Sequence, residues 1–210
     1  MKTIVGIDVQ NKKEFKEKLL RLNSFLPKGS WLHIDLADKK FTQSGSFVDF
    51  DLIKKLSKKY KFEVHLMLDS KKIINNKVFS SSVSIILIHN EVVKDWEFIK
   101  PLAKIYKKNI GIVFGYDIDR KEIDIPKWIK YVQVLGVVPG PAGQKINKKT
   151  FSLVSFLRKK YPYVIISVDG GINEKTAKLV KKSGADKIIS TSYVWNDNSP
   201  QEAYNRLKAV

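Results

Sequence analysis

His33 and Asp35 form the first pair in the chain whose types and spacing could do chemistry. They lie in Trp31-Leu32-His33-Ile34-Asp35-Leu36, where apolar residues fill the alternate positions. In a strand, residues two apart share a face, so a histidine and a carboxylate would project together while Leu32, Ile34 and Leu36 face the other way. Two adjacent polar groups in a core need a partner or a ligand, because burying them unpaired is costly. Two later apolar segments carry polar residues in the same manner: Phe62-Glu63-Val64-His65-Leu66-Met67 and Val164-Ile165-Ile166-Ser167-Val168-Asp169. Brought together, His33, Asp35, His65 and Asp169 would offer two imidazoles and two carboxylates. That donor set suits one divalent transition metal such as zinc, manganese or iron(II), acting as a Lewis acid on a carbonyl or an enediolate. Each histidine alone reads as an ordinary core or surface residue; their shared place at strand ends turns the reading toward metal. His89, beside Asn90 and Glu91, is a fifth polar candidate, read as a supporting or incidental residue.

A second set of residues suits an anion. Backbone amides in glycine-rich loops and at helix N-termini can cradle a phosphate. Asp169-Gly170-Gly171-Ile172-Asn173, Ser190-Thr191-Ser192-Tyr193 and Pro139-Gly140-Pro141-Ala142-Gly143-Gln144 each follow an apolar segment. Any one of these loops reads as a simple turn. Three at successive strand ends read as a phosphate site.

These side chains need elements to position them. The chain alternates short apolar runs with longer amphipathic stretches, the pattern of repeated βα units around a parallel sheet. Strands are predicted over Thr3 to Ile7, Trp31 to Leu36, Phe62 to Met67, Val83 to Ile88, Ile110 to Phe114, Tyr131 to Val134, Tyr163 to Val168 and Lys187 to Ser190. Helical spacing joins Phe15, Leu19 and Leu22; Leu52, Ile53 and Leu56; Trp96, Ile99, Leu102, Ala103 and Tyr106; Phe151, Leu153, Val154 and Leu157; and Ala177 with Val180. Helices near Lys71 to Phe79 and Asp119 to Ile123 are weakly written, and Pro101 falls inside another. Eight such units in about 200 residues match an α/β fold of the (β/α)8 TIM-barrel type, in a single domain over residues 1–210. In such barrels, function sits at the C-terminal ends of the strands, where all four candidate ligands fall.

Composition narrows the function classes. With no cysteine, a disulfide framework, a thiolate zinc site and a thiol nucleophile are all excluded. No apolar run approaches the roughly 20 residues of a membrane span, and the N-terminus lacks the apolar core of a signal peptide, so a cytoplasmic protein is expected. A net charge of +18 raises the question of nucleic acid. The excess is nearly all lysine, in scattered pairs such as Lys54-Lys55, Lys107-Lys108 and Lys181-Lys182 on predicted helix exteriors. A solvated surface is the preferred reading, with a field that helps attract a phosphorylated substrate. A noncatalytic basic binding module is the rival from another class.

The chain resembles the ribulose-phosphate 3-epimerases, metal-dependent phosphate-binding barrels, from the second strand to the end. The resemblance rests on His33-Ile34-Asp35 with Asp38, Val64-His65-Leu66-Met67, Pro139-Gly140 with Gly143-Gln144, Val168-Asp169-Gly170-Gly171-Ile172, and Ser183-Gly184-Ala185-Asp186. It implies that His33, Asp35, His65 and Asp169 bind the metal and that Asp35 and Asp169 exchange protons with carbon 3 of the substrate. It further implies a barrel of the ribulose-phosphate-binding type. Phosphate and substrate would be met near Met67, Gly140, Ala142, Gly143, Gly170, Gly171, Thr191 and Ser192. The implied substrate is D-ribulose 5-phosphate, converted to D-xylulose 5-phosphate; a hexulose 6-phosphate is the alternative. The family tends to self-associate, which implies a homo-oligomer. The chain departs from the family at strand one, where Gly6-Ile7-Asp8-Val9-Gln10-Asn11 lacks a substrate-facing serine. It departs again after strand two, at Ala37-Asp38-Lys39 and Thr42-Gln43-Ser44, and in its pocket methionines, reduced to Met67. A decarboxylase or aldolase of sugar phosphates is disfavoured, because Asp35-Leu36-Ala37-Asp38-Lys39 does not supply the Asp-x-Lys-x-x-Asp pattern.

Overall fold

A computed structural model describes residues 1–39, 42, 45–69, 73, 77–93, 95–140 and 143–210. All eight expected strands are present: β1 (Lys2–Ile7), β2 (Trp31–Ala37), β3 (Lys61–Met67), β4 (Ile85–His89), β5 (Asn109–Gly115), β6 (Tyr131–Leu135), β7 (Ile165–Asp169) and β8 (Lys187–Ser190). They form one closed parallel sheet in sequence order, a (β/α)8 barrel. The chain comprises two compact units, one over Gly6–Ile110 and one of Met1–Val5 with Gly111–Val210. No helix among the described residues is long and apolar enough to cross a membrane.

The Gly6–Ile110 unit carries α1 (Lys12–Leu22), α2 (Phe50–Leu56) and α3 (Trp96–Ile105). Each starts where a short polar side chain accepts from an otherwise orphaned amide: Asn11 from Glu14 N, Asp49 from Leu52 N and Asp95 from Glu97 N. In α1 the buried residues are Phe15, Leu19 and Leu22, the apolar stripe that the spacing predicts. Helix α3 runs through Pro101. Every residue of β4 is buried, as expected for a parallel strand covered on both faces. It starts two residues later than its apolar run and takes in His89. Before it, the Ser81 and Val83 carbonyls accept from Lys108 Nζ.

Register in this unit decides which side chains meet. Parallel pairing sets His33 opposite Glu63 and Asp35 opposite His65 on β2 and β3, and His65 opposite Leu87 on β4. Residues two apart share a face, so His33, Asp35, Glu63, His65 and His89 all point to one side. Of the helix expected near Lys71 to Phe79, residues 71, 72 and 74–76 lie outside the described residues; Ile73, Val78 and Phe79 are buried.

The other unit carries β5 to β8 and β1, with α4 (Lys149–Lys160), α5 (Glu174–Lys182), α6 (Ser192–Trp195) and α7 (Pro200–Lys208). A capping box opens α5: Asn173 Oδ1 accepts from Thr176 N at 3.0 Å, and Thr176 Oγ1 accepts from Asn173 N at 2.8 Å. Asp119 to Ile123, weakly written as a helix, forms a single 3-10 turn over Arg120–Glu122. Residues 119–122 are exposed and only Ile123 of that stretch is buried, so no apolar face exists to hold a longer helix.

The connections after β6 and β7 are in intimate contact. Gly136 N donates to Asp169 O at 2.7 Å and Asn147 N donates to Gly136 O at 2.7 Å. Gly171 has φ +68°, and a Cβ there would lie 2.3 Å from Ile146 N. Both the left-handed backbone and the close approach demand glycine. Gly171→Ala is therefore expected to destabilise the fold by more than about 1 kcal/mol, read as a lowered midpoint in urea unfolding.

Candidate metal centre

Histidine and carboxylate side chains of the Gly6–Ile110 unit form one continuous chain of contacts. His33 Nδ1 lies 2.9 Å from Glu63 Oε1, and His33 Nε2 lies 3.3 Å from Asp35 Oδ1. The same Asp35 oxygen lies 3.0 Å from His65 Nδ1. His65 Nε2 is 2.8 Å from His89 Nε2, and His89 Nδ1 is 2.8 Å from Glu91 Oε1. The order is Glu63, His33, Asp35, His65, His89, Glu91. All three histidines are buried.

The His65 and His89 rings meet end to end. Their planes differ by 14° and their centroids are 4.9 Å apart. With 2.8 Å between the two Nε2 atoms, the nitrogens lie along the line joining the rings. Face-to-face stacking would hold both nitrogens away from that line, so this is an in-plane hydrogen bond.

Electrostatics follows from burial and from these partners. Burial pushes the Asp35 carboxyl up, but the hydrogen bonds with His33 and His65 outweigh it and hold it far below the ordinary carboxylate value. Burial pulls the His65 imidazole down to about 4, against the opposing hydrogen bond with Asp35. Burial raises the Glu91 carboxyl, and the hydrogen bond with His89 more than reverses it. At neutral pH the network therefore holds ionised Asp35 and Glu91 about a neutral His65.

His33 Nε2 and His65 Nδ1 meet the same Asp35 oxygen, and each ring meets a further side chain through its other nitrogen. These residues fit a divalent metal: two imidazoles and a carboxylate, each imidazole braced on its far side.

Sequence reasoning missed Glu63 as a functional residue. Its signal was present, since Glu63 and His65 repeat the two-residue spacing of His33 and Asp35. His89, read as supporting or incidental, is in direct contact with His65.

Asp8 follows β1, and its carboxyl is raised by burial first and by the Asp35 charge second, with Lys18 opposing. Lys18 Nζ donates to the Asp8 carbonyl at 2.9 Å. Met67 ends β3 and is buried; its carbonyl accepts from Asp38 N at 3.1 Å.

In the other unit, Asp169 ends β7, half-buried, in register with Leu135 and Ile189. Of the residues expected near phosphate, Gly143, Gly171 and Ser192 line a cavity of about 810 Å³, together with Lys145, Lys148 and Lys175. Gly170 packs under Val137, whose Cγ2 a Cβ would meet at 2.5 Å. Gly140 has no neighbour within 4 Å of such a Cβ. Thr191 precedes α6, and its carbonyl accepts from Trp195 N at 3.0 Å. Ala142 lies outside the described residues.

Comparison with known proteins places this geometry. The sequence model of the ribulose-phosphate 3 epimerase family matches residues 10–195. A ribulose-phosphate 3-epimerase of Schizosaccharomyces pombe is 28% identical over 188 residues, covering 85% of this chain and 80% of that protein. The cytoplasmic isoform of Oryza sativa is 26% identical over 213 residues, covering 98% and 91%. Among solved structures, a 3-hexulose-6-phosphate synthase superposes with a TM-score of 0.70 at 16% identity over 100% of this chain and 99% of that one. A 3-keto-L-gulonate-6-phosphate decarboxylase of Vibrio cholerae does so with 0.71 at 11% identity, over 99% and 95%. The two structural likenesses establish the barrel alone. From the extent of the family match, with the relatives spread along most of its length, the chain belongs to the ribulose-phosphate 3 epimerase family.

Proposed function

We propose that the chain epimerises carbon 3 of a ketose phosphate, interconverting D-ribulose 5-phosphate and D-xylulose 5-phosphate, with His33, Asp35, His65 and Asp169 holding one divalent metal. The observation that carries this reading is the pair of buried imidazole nitrogens that meet one oxygen of Asp35, at 3.3 and 3.0 Å. Asp169 joins the set on its chemistry and its place at the end of β7. Family membership supports the substrate class.

Inverting a carbon requires an acid/base group on each side of it. Asp35 and Asp169 supply the two carboxylates: one takes the proton from carbon 3 and the other delivers a proton to the opposite face. Their roles exchange with the direction of reaction. When bound, a divalent metal supplies Lewis-acid stabilisation of the negative charge that develops on the substrate oxygens. His33 and His65 present ring nitrogens toward that position, and burial keeps His65 from taking up a proton that would compete there. Phosphate is assigned to the cavity lined by Gly143, Gly171 and Ser192, where Lys145, Lys148 and Lys175 add positive charge.

Asp8 belongs to the segment that departs from the family at strand one. A half-buried carboxylate that feels the charge of another is retained at a cost in stability, and we assign it to the substrate pocket in place of the missing serine hydroxyl.

Two outcomes test these statements. The purified protein loaded with Mn2+, Fe2+ or Zn2+ is expected to interconvert the two pentulose phosphates in a coupled assay, and Asp35→Asn to lower the rate at least about 100-fold, the lower end of what a positioned acid/base group contributes. No turnover of any pentulose or hexulose phosphate by the loaded protein would sink the reading, as would full activity in Asp35→Asn. For Asp8, the sign follows from linkage: its folded-state pKa is raised, so its contribution is most favourable below the unfolded value near 3.8 and is lost as pH rises through the folded value. In chelator-treated protein, Asp8→Asn should raise the melting temperature at pH 7, with the gain shrinking as the pH is lowered through the carboxylate range.

A further inference from the structure

Two imidazoles face Asp35, but they are braced differently. His33 leans directly on a buried carboxylate, Glu63, at 2.9 Å. Among the described residues, no carboxylate meets His65 on its far side. Its Nε2 meets another imidazole nitrogen, that of His89, at 2.8 Å. Two like nitrogens at that distance must divide the roles of donor and acceptor, and nothing in the His65–His89 pair by itself says which is which.

Glu91 breaks the tie. An ionised carboxylate only accepts, so at 2.8 Å it draws the N–H of His89 to Nδ1. When His65 Nδ1 faces a cation, the N–H of His65 lies at Nε2, and His89 can accept it at Nε2 because its own N–H is held at Nδ1 by Glu91. That chain of donors and acceptors keeps the His65 N–H on the side away from Asp35. We propose that His89 and Glu91 act as positioning residues that select the tautomer of His65, keeping its Nδ1 free of a proton toward Asp35 and so setting the metal affinity of the site. This rests on the metal-site reading above. The reverse tautomer would place an N–H between His65 and Asp35, and a metal would have to displace that proton in order to bind.

The geometry makes the relay directional. His65 and His89 each expose 1% of their side chains, while Glu91 exposes 60%. A substitution at the surface is thus transmitted through two buried rings to the ligand nitrogen. Because Glu91 sits in the 3-10 turn Asn90–Val92 after β4, its side chain can be replaced with little disturbance of the core.

The test pairs variants of equal charge. Glu91→Leu and Glu91→Gln both remove the carboxylate, but only glutamine keeps an oxygen that can accept from His89 Nδ1–H. His89→Leu and His89→Gln differ likewise in whether an acceptor remains near His65 Nε2. Co2+ dissociation constants from visible absorption titrations should rise about 10–100-fold in the two leucine variants, the range typical of lost outer-shell partners, with most of the loss recovered in the glutamine variants. A second readout is the long-range 1H–15N spectrum of 15N-histidine protein, which is simple because the chain has three histidines. In the Zn2+-loaded protein it should show His65 protonated at Nε2 and His89 at Nδ1; in metal-free Glu91→Leu, His65 should lose that single-tautomer pattern. Failure of the parent protein to bind Co2+ would remove the metal-site reading and this inference with it. A parent that binds, with leucine and glutamine variants equally tight and the His65 spectrum unchanged, would overturn the relay alone.

Discussion

The functional face of β2, β3 and β4 is organised by the contact of two imidazole nitrogens with one oxygen of Asp35. Glu63 meets the far nitrogen of His33, His89 meets that of His65, and Glu91 meets His89 in turn. Each ring is thus held at both nitrogens, which fixes its orientation about the carboxylate.

Parallel register is what allows the arrangement. Pairing His33 with Glu63 and Asp35 with His65 places two residues of each strand at neighbouring levels on one face. A slip of one residue between β2 and β3 would turn one pair of polar side chains into the layer beneath the helices. The slip is opposed by the apolar residues between them, since Leu32, Ile34, Phe62, Val64 and Leu66 are all fully buried on the other face. The hydrophobic core and the polar network thus specify the same register from opposite sides, the agreement between levels that makes a native arrangement unique.

The alternation within β2 and β3 was legible in the amino-acid sequence, because a period of two is a local property, and so were the eight strands and the barrel. The strand ends were less so. β4 starts at Ile85, after Ser81 and Val83, whose carbonyls accept from Lys108 Nζ 25 or more residues further along the chain. Glu63 was overlooked because its role depends on lying opposite His33, 30 positions earlier, and no local pattern states that. His89 was noticed as a polar residue at a strand end, yet its contact with His65 is again between strands. Gly171 illustrates the converse case. It read as part of a phosphate loop, and the structure adds a packing reason, the approach of Ile146 N, that holds with or without a ligand.

The surplus of positive charge can be weighed against this anionic centre. A net charge of +18 would dominate if it acted at long range, but at 0.1 M salt exposed charges are screened beyond about 10 Å. Lysines dispersed over helix exteriors therefore raise the general potential for anions without marking any one place. Lys145, Lys148 and Lys175 differ because they line the same cavity as Gly143, Gly171 and Ser192. There they lie within contact range of whatever enters, where screening is weakest and amides can add directional hydrogen bonds. Positive charge and backbone donors thus coincide at one defined cavity, whereas the scattered surface lysines mark none.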